Sequence, residues 1–185
     1  MKTILITGGA RSGKSRLAQD MALKLGQSVL FVATATAADQ EMRQRIEEHR
    51  RLRPGNWCTL EVSTHVGGEI QKNLGTARMV IIDCVTLLVN NIFSQYTDAA
   101  GEITDAALLE KEVTAGIVEL IACLDSTAAG FIIVTNEVGL GLVPANRMGR
   151  LYRDLLGKAN QLLAERADEV YLLVAGLPVK IKPAR

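Results

Sequence analysis

A chain of 185 residues, 48% hydrophobic and 22% charged, has the composition of a soluble globular protein, long enough to bury a core without disulfides or metals. Its 21 basic and 20 acidic residues leave a net charge of +1, which argues against the clustered positive charge that nucleic acid calls for. Cys58, Cys84 and Cys123 are too few and too widely spaced for a disulfide framework or a metal site. With no signal-peptide pattern and no apolar run near the ~20 residues of a membrane span, a cytoplasmic protein with one domain over residues 1–185 is expected.

In chain order, Thr3–Thr7 (TILIT) is short, β-branched and continuously apolar, as in a strand buried on both faces. A helical pattern over Lys14–Leu25 follows it. Val29–Thr34 reads as a second buried strand, and Asp39–Arg53 as a helix that stops before Pro54, which could not continue it. Cys58–Glu61 is a short strand and Met79–Asp83 a buried one, whereas Ser94–Asp105 is the most loop-like stretch. Asp105–Leu124 places Leu108, Leu109, Val113, Ile117, Leu120 and Ile121 at helical spacing. Gly130–Thr135 is another buried strand, and Arg147–Ala167 another helix. Glu169–Gly176 and Val179–Lys182 read as a closing hairpin that turns at Gly176 and Pro178. Strand–helix alternation of this kind predicts an α/β fold with a mostly parallel sheet flanked by helices on both faces. Ligands of such sheets bind beyond the C-terminal ends of the strands.

The segment after the first strand is GGARSGKS: Gly8, Gly9, Ala10, Arg11, Ser12, Gly13, Lys14 and Ser15. This is G-x-x-x-x-G-K-S between a strand and a helix, the setting that distinguishes a P-loop from a chance glycine-rich turn. The glycines permit a close backbone approach, so that consecutive amides converge on phosphate oxygens at a helix N-terminus. Lys14 is placed to reach the β- and γ-phosphates, and the Ser15 hydroxyl to bind Mg²⁺. Asp83, at the end of a neighbouring strand, suits a second Mg²⁺ ligand; the plainer alternative is that it caps the next helix. No N-K-x-D stretch and no arginine-rich lid identifies the base.

On the Asp39–Arg53 helix, Met42, Ile46, His49 and Arg53 fall along one stripe. His49 therefore faces protein or ligand, with Arg45, Arg50, Arg51 and Arg53 close by. Two roles fit it: a half-buried histidine bonded to a neighbour, or a nucleophile that attacks phosphorus, its charge stabilised by the arginines. His65 lies outside any motif and reads as surface; Trp57 reads as a packing anchor.

The segments ITGGARSGKS, VATATAADQEMRQRIEEHRRLRP, IIDCVTLLVNN and VTNEVGLGLVPANRMGRLYRDLLGKANQLLAERADEVYLLVAGLPVKIK together resemble one family. It is that of the bifunctional adenosylcobinamide kinase / adenosylcobinamide-phosphate guanylyltransferases of cobalamin biosynthesis. The resemblance spans Thr3 to Lys182. It implies a RecA-like P-loop NTPase fold with a C-terminal hairpin, and ATP or GTP and adenosylcobinamide or its phosphate as substrates. It also implies Mg²⁺ as cofactor and a homo-oligomer, a trimer, holding the corrinoid between subunits. The family histidine that carries GMP covalently matches His49, with Arg45, Ile46 and Arg50 around it. The family's nucleotide contacts match Gly8 to Ser15, Ala33, Thr34, Ala35, Arg50, Arg51, Leu52, Arg53, Glu61 and Asp83. Small residues and turn formers beside the His49 helix, TATAAD and RPGN, suggest that it moves between the two reactions.

Overall fold

This computed structural model describes residues 2–36, 40–51, 53–99 and 101–183, and of Glu41, Arg45 and His49 the backbone alone. The elements in chain order are β1 (Thr3–Gly8), α1 (Lys14–Leu25), β2 (Val29–Ala33), α2 (Gln40–Arg51), β3 (Cys58–Glu61), α3 (Val66–Asn73) and β4 (Met79–Asp83). Then come α4 (Val85–Ser94), α5 (Ala106–Ser126), β5 (Gly130–Val134), α6 (Arg147–Arg166), β6 (Glu169–Val174) and β7 (Leu177–Lys182).

The strands form one sheet in the order β3-β2-β4-β5-β1-β6-β7. Every pairing is parallel except β6 with β7. This is the expected α/β architecture, a P-loop-bearing, mostly parallel sheet flanked by helices, with a hairpin at its C-terminal edge.

The apolar runs of the central strands alternate between two cores. Leu5, Val32, Val80, Ile82, Phe131 and Ile133 point to one face, where α3, α4, α5 and α6 cover them. Ile4, Ile6, Phe31, Ile81, Ile132 and Val134 point to the other, where Ala18 and Ala22 of α1 meet them. A strand with both faces covered needs no polar alternation, hence the continuous apolar runs.

Several details differ from the sequence expectation or add to it. The hairpin turns at Ala175 and Gly176, both with positive φ (50° and 82°), as a two-residue turn of the primed kind requires. Pro178 therefore lies inside β7, opposite Leu173; an edge strand tolerates its missing N–H. Helices α3 and α4 carry no clear sequence signal. In α3 two glycines mask the pattern, and in α4 (VTLLVNNIFS) burial on most sides removes the periodicity. Asp105 and Asn146 stand just outside α5 and α6 as N-caps, accepting from Leu108 N–H and Gly149 N–H. His65, read as surface, is exposed, but it also occupies the N-cap position of α3 with φ of 53° and lies 3.3 Å from a Glu119 carboxylate oxygen. Trp57 is a packing residue as expected, stacked on Phe31 with ring centroids 6.5 Å apart.

Two stability predictions follow from this packing. A Cβ at Gly67 would meet the Glu119 carbonyl oxygen at 2.6 Å, a backbone atom that cannot rotate away. Gly67→Ala should push α3 off α5 and destabilise the protein by roughly 1–3 kcal/mol, read as a lower urea midpoint at unchanged m-value. Glu169, at the start of β6, is 4% exposed. Burial pushes its carboxyl up, but hydrogen bonds from Lys180 (2.6 Å), Lys2 (2.8 Å) and Tyr171 (3.0 Å) outweigh it and hold the pKa at about 2 against an ordinary 4.5. A depressed carboxylate pKa gives stability that is complete above about 4.5 and is lost as pH falls toward 2. Glu169→Gln should flatten that part of the urea-midpoint profile between these pH values.

Candidate functional site

The parallel register aligns the ends of five strands. Glu61 of β3 lies opposite Ala33 of β2, and Ala33 opposite Asp83 of β4. Asp83 lies opposite Val134 of β5, and Val134 opposite Ile6 of β1, two residues before Gly8. Glu61, Ala33 and Asp83, far apart in sequence, thus stand in one row beside the start of the P-loop.

The loop from Gly8 to Ser15 is built by backbone constraints. Gly8 leaves β1 with φ of 145°, and a Cβ there would sit 2.5 Å from the Leu173 carbonyl oxygen. Gly13 caps α1 with φ of 96°, and Arg11 adopts a left-handed φ of 57°. The amide of Ser12 donates to Gly9 O (3.3 Å), that of Gly176 to Ser12 O (3.1 Å) and that of Glu137 to Gly8 O (3.0 Å). The loop is therefore held by itself, by the hairpin turn and by the segment after β5. The first turn of α1 has no acidic residue, so its N-terminal field remains free to attract an anion.

Lys14 is 7% exposed, and its Nζ donates to Gly9 O at 2.6 Å and lies 3.5 Å from Ser12 Oγ. Burial lowers its pKa, while the nearby Asp83 charge opposes that shift. Cys84, one residue after Asp83, occupies the N-cap position before α4. The Cys84 thiol itself is pushed up to about 11 by burial and by the Asp83 charge, so it stays neutral and is a poor nucleophile.

Thr34 is fully buried, and its hydroxyl donates to Cys84 O (2.7 Å) and accepts from Cys84 N–H (2.8 Å). Its side chain is thereby committed to fixing the strand ends, so a ligand would meet this run through Ala35 or the backbone. Asn91 of α4 donates to Thr34 O (2.8 Å) and Ser63 O (3.0 Å), tying the ends of β2 and β3 together. Its one sequence signal is the pair of amides, Asn90 and Asn91, inside a mostly apolar helix.

On the α2 side, Arg50 forms an ion pair with Glu61, and the Arg53 guanidinium lies 3.9 Å above the Phe31 ring. Burial lowers the Arg53 pKa, with the charge of Asp83 opposing it. Arg53 Nε is buried without a hydrogen-bond partner among the described residues. A buried N–H beside a carboxylate and a phosphate-type loop suits an oxygen ligand. Arg51 instead lies 3.9 Å from Glu47 on the exposed face of α2, apart from the others. The backbone of His49 lies within α2, but its side chain and Leu52 lie outside the described residues. Among the described residues no group of three or more His, Cys, Asp or Glu could hold a metal, and no helix is long and apolar enough to cross a membrane.

A second polar network joins the other side of the row. Thr86 Oγ1 accepts from Asn136 N–H (2.8 Å), Thr135 Oγ1 donates to Asn160 Oδ1 (2.7 Å), and Asn160 Nδ2 donates to Asn136 O (3.0 Å). The Tyr152 hydroxyl donates to Thr86 O (2.9 Å). This network fixes the end of β5 against α4 and α6, and its pairings are not readable from sequence.

Comparison with known proteins assigns this geometry to a family. The family described as cobinamide kinase / cobinamide phosphate guanyltransferase matches residues 4–181. The bifunctional adenosylcobalamin biosynthesis protein CobU of Escherichia coli K12 is 43% identical over 182 residues, 97% of this chain and 99% of that protein. CobU of Salmonella typhimurium LT2 is 42% identical over 180 residues, 97% of this chain and 99% of that protein. The corresponding CobP of Pseudomonas aeruginosa PAO1 is 40% identical over 178 residues, 96% of each. Among solved structures, the RadB recombinase is similar over 92% of this chain and 73% of its own, with a TM-score of 0.49 and 16% identity. With the P-loop, the strand-end carboxylates, Arg50 and Arg53 gathered at the C-terminal ends of the strands, and with relatives matching almost end to end, the chain belongs to the family of bifunctional cobinamide kinase / cobinamide phosphate guanyltransferases.

Proposed function

We propose that one phosphate cradle in this chain serves two successive transfers. First, ATP or GTP phosphorylates the aminopropanol hydroxyl of adenosylcobinamide: the hydroxyl oxygen bonds to the γ-phosphorus and a nucleoside diphosphate leaves. Second, a ring nitrogen of His49 attacks the α-phosphorus of GTP and pyrophosphate leaves. A phosphate oxygen of adenosylcobinamide phosphate then attacks the GMP–His49 intermediate, releasing the imidazole and giving adenosylcobinamide-GDP. The observation that supports this most directly is the strand-end row. It sets Lys14 and Asp83 in each other's field beside Arg53, and places the residues before and after α2, Ala33 and Glu61, opposite each other.

Within this reading, the amides of Gly8 to Ser15 and the Lys14 ammonium bind the triphosphate and offset the charge that develops on the transferred group. The Ser15 hydroxyl and Asp83 carboxylate are the hard oxygen donors that Mg²⁺ takes, and the Asp83 charge reaches Lys14, so both sides of the phosphate chain are covered. When bound, the ion would neutralise charge on the phosphate oxygens. Arg50 and Arg53 hold the nucleotide on the α2 side, with Glu61 orienting Arg50 or the base. Because α- and γ-phosphorus are attacked in different steps, α2 shifts between them. We place the protein in the cytoplasm as a homotrimer that holds the corrinoid between subunits. The exposed apolar residues Leu177, Val179 and Ile181 on the edge strand β7 support such a contact.

Incubation with α-labelled GTP and Mg²⁺ should leave label on the denatured protein, stable in mild base and lost in acid, as a phosphoramidate is. His49→Ala should abolish that label while cobinamide phosphorylation by ATP continues; a wild-type protein that never takes up label rules out the transferase half. Lys14→Ala should lower both transfers by roughly 10²–10³ in kcat, as loss of one preorganised charge-stabilising donor does, measured by cobinamide turnover and by the rate of labelling.

A further inference from the structure

The segment after β5, Asn136 to Pro144 (NEVGLGLVP), has no part in either transfer as assigned above, yet it occupies the centre of the site. Strand β5 lies between β1, which carries the P-loop, and β4, which carries Asp83. Its first residues past the strand are tied to both neighbours. Asn136 N–H donates to Thr86 Oγ1 at the start of α4 (2.8 Å), and Glu137 N–H donates to Gly8 O (3.0 Å). The next carbonyl along the loop, Gly9 O, accepts from Lys14 Nζ. The backbone of Glu137 is therefore one residue removed from the group that grips the lysine ammonium.

The Glu137 carboxylate is half-buried, and its position is set. Oε1 accepts from Gly139 N–H at 2.7 Å, and Oε2 has no protein donor among the described residues. The other strand-end carboxylates are engaged elsewhere: Glu61 is ion-paired with Arg50, and Asp83 lies in the field of Lys14 and Arg53. Just past Glu137 the chain exposes Leu140 (81%), Leu142 (97%) and Val143 (65%). Leu140 also lines, with Gly9 to Ser12 and Leu172 to Ala175, a cleft of about 360 Å³. A carboxylate whose backbone is hydrogen-bonded to the phosphate loop, held by the Gly139 amide two residues on and next to an apolar ledge, suits an acceptor that is a hydroxyl on a large hydrocarbon-rich body.

We infer that Glu137 is the general base of the phosphorylation step. As the acceptor oxygen bonds to the γ-phosphorus, the hydroxyl proton passes to a Glu137 carboxylate oxygen, the β,γ-bridging P–O bond breaks, and its electron pair leaves with the nucleoside diphosphate. This rests on the kinase reading above.

Glu137→Gln tests it, because the amide oxygen can still accept from Gly139 N–H and preserve the turn. Cobinamide phosphorylation by ATP should fall by about 10²–10⁴ in kcat with the KM for ATP unchanged. Labelling of His49 by α-labelled GTP should persist. Wild-type kcat in Glu137→Gln overturns the inference, and so does a parallel loss of labelling, which marks a structural role. A wild-type protein that does not phosphorylate cobinamide overturns the kinase reading and the inference with it.

Discussion

Parallel strand register is the constraint on which the site depends. Hydrogen bonding of β3, β2, β4, β5 and β1 in sequence brings Glu61, Ala33, Asp83, Val134 and Ile6 into line, and the P-loop and Glu137 lie just past that line. A shift of one residue between any two strands would turn their buried side chains to opposite faces and expose apolar groups on both. The cores on the two faces of the sheet thus guard the relative placement of Lys14, Asp83 and the chain leading into α2.

Backbone hydrogen bonds alone do not hold the loops beyond those strands. Thr34 and Asn91 join β2, β3 and the start of α4, while Thr86, Asn136, Asn160 and Tyr152 join β5, α4 and α6. Such short polar bridges are buried or half-buried, where a broken bond leaves an unsatisfied group costing about 1–3 kcal/mol. The two networks flank Asp83 on either side. The P-loop is held in the same way, by Gly176 from the hairpin and Glu137 from the segment after β5.

The α2 side is built differently. Its described side chains meet the sheet edge through ions: Arg50 with Glu61, and Arg53 over Phe31 near Asp83. Charge contacts at a half-exposed edge are weaker than a packed apolar face.

Much of this was readable beforehand. The buried strands, the long helices α5 and α6 and the P-loop follow from local pattern, because a strand covered on both faces needs an unbroken apolar run and a phosphate loop needs glycines at fixed spacing. The sequence alone could not place α3 and α4: the glycines of α3 answer to the backbone of α5 rather than to helix propensity, and the burial of α4 on most sides erases its period. It also could not place Pro178 inside a strand, since that depends on which strand is the edge. The chemical types at the site were set locally. Their convergence, with Glu61, Ala33 and Asp83 in one row and Glu137 braced against Gly8, was decided by tertiary structure, because register and strand order join residues that no sequence spacing connects.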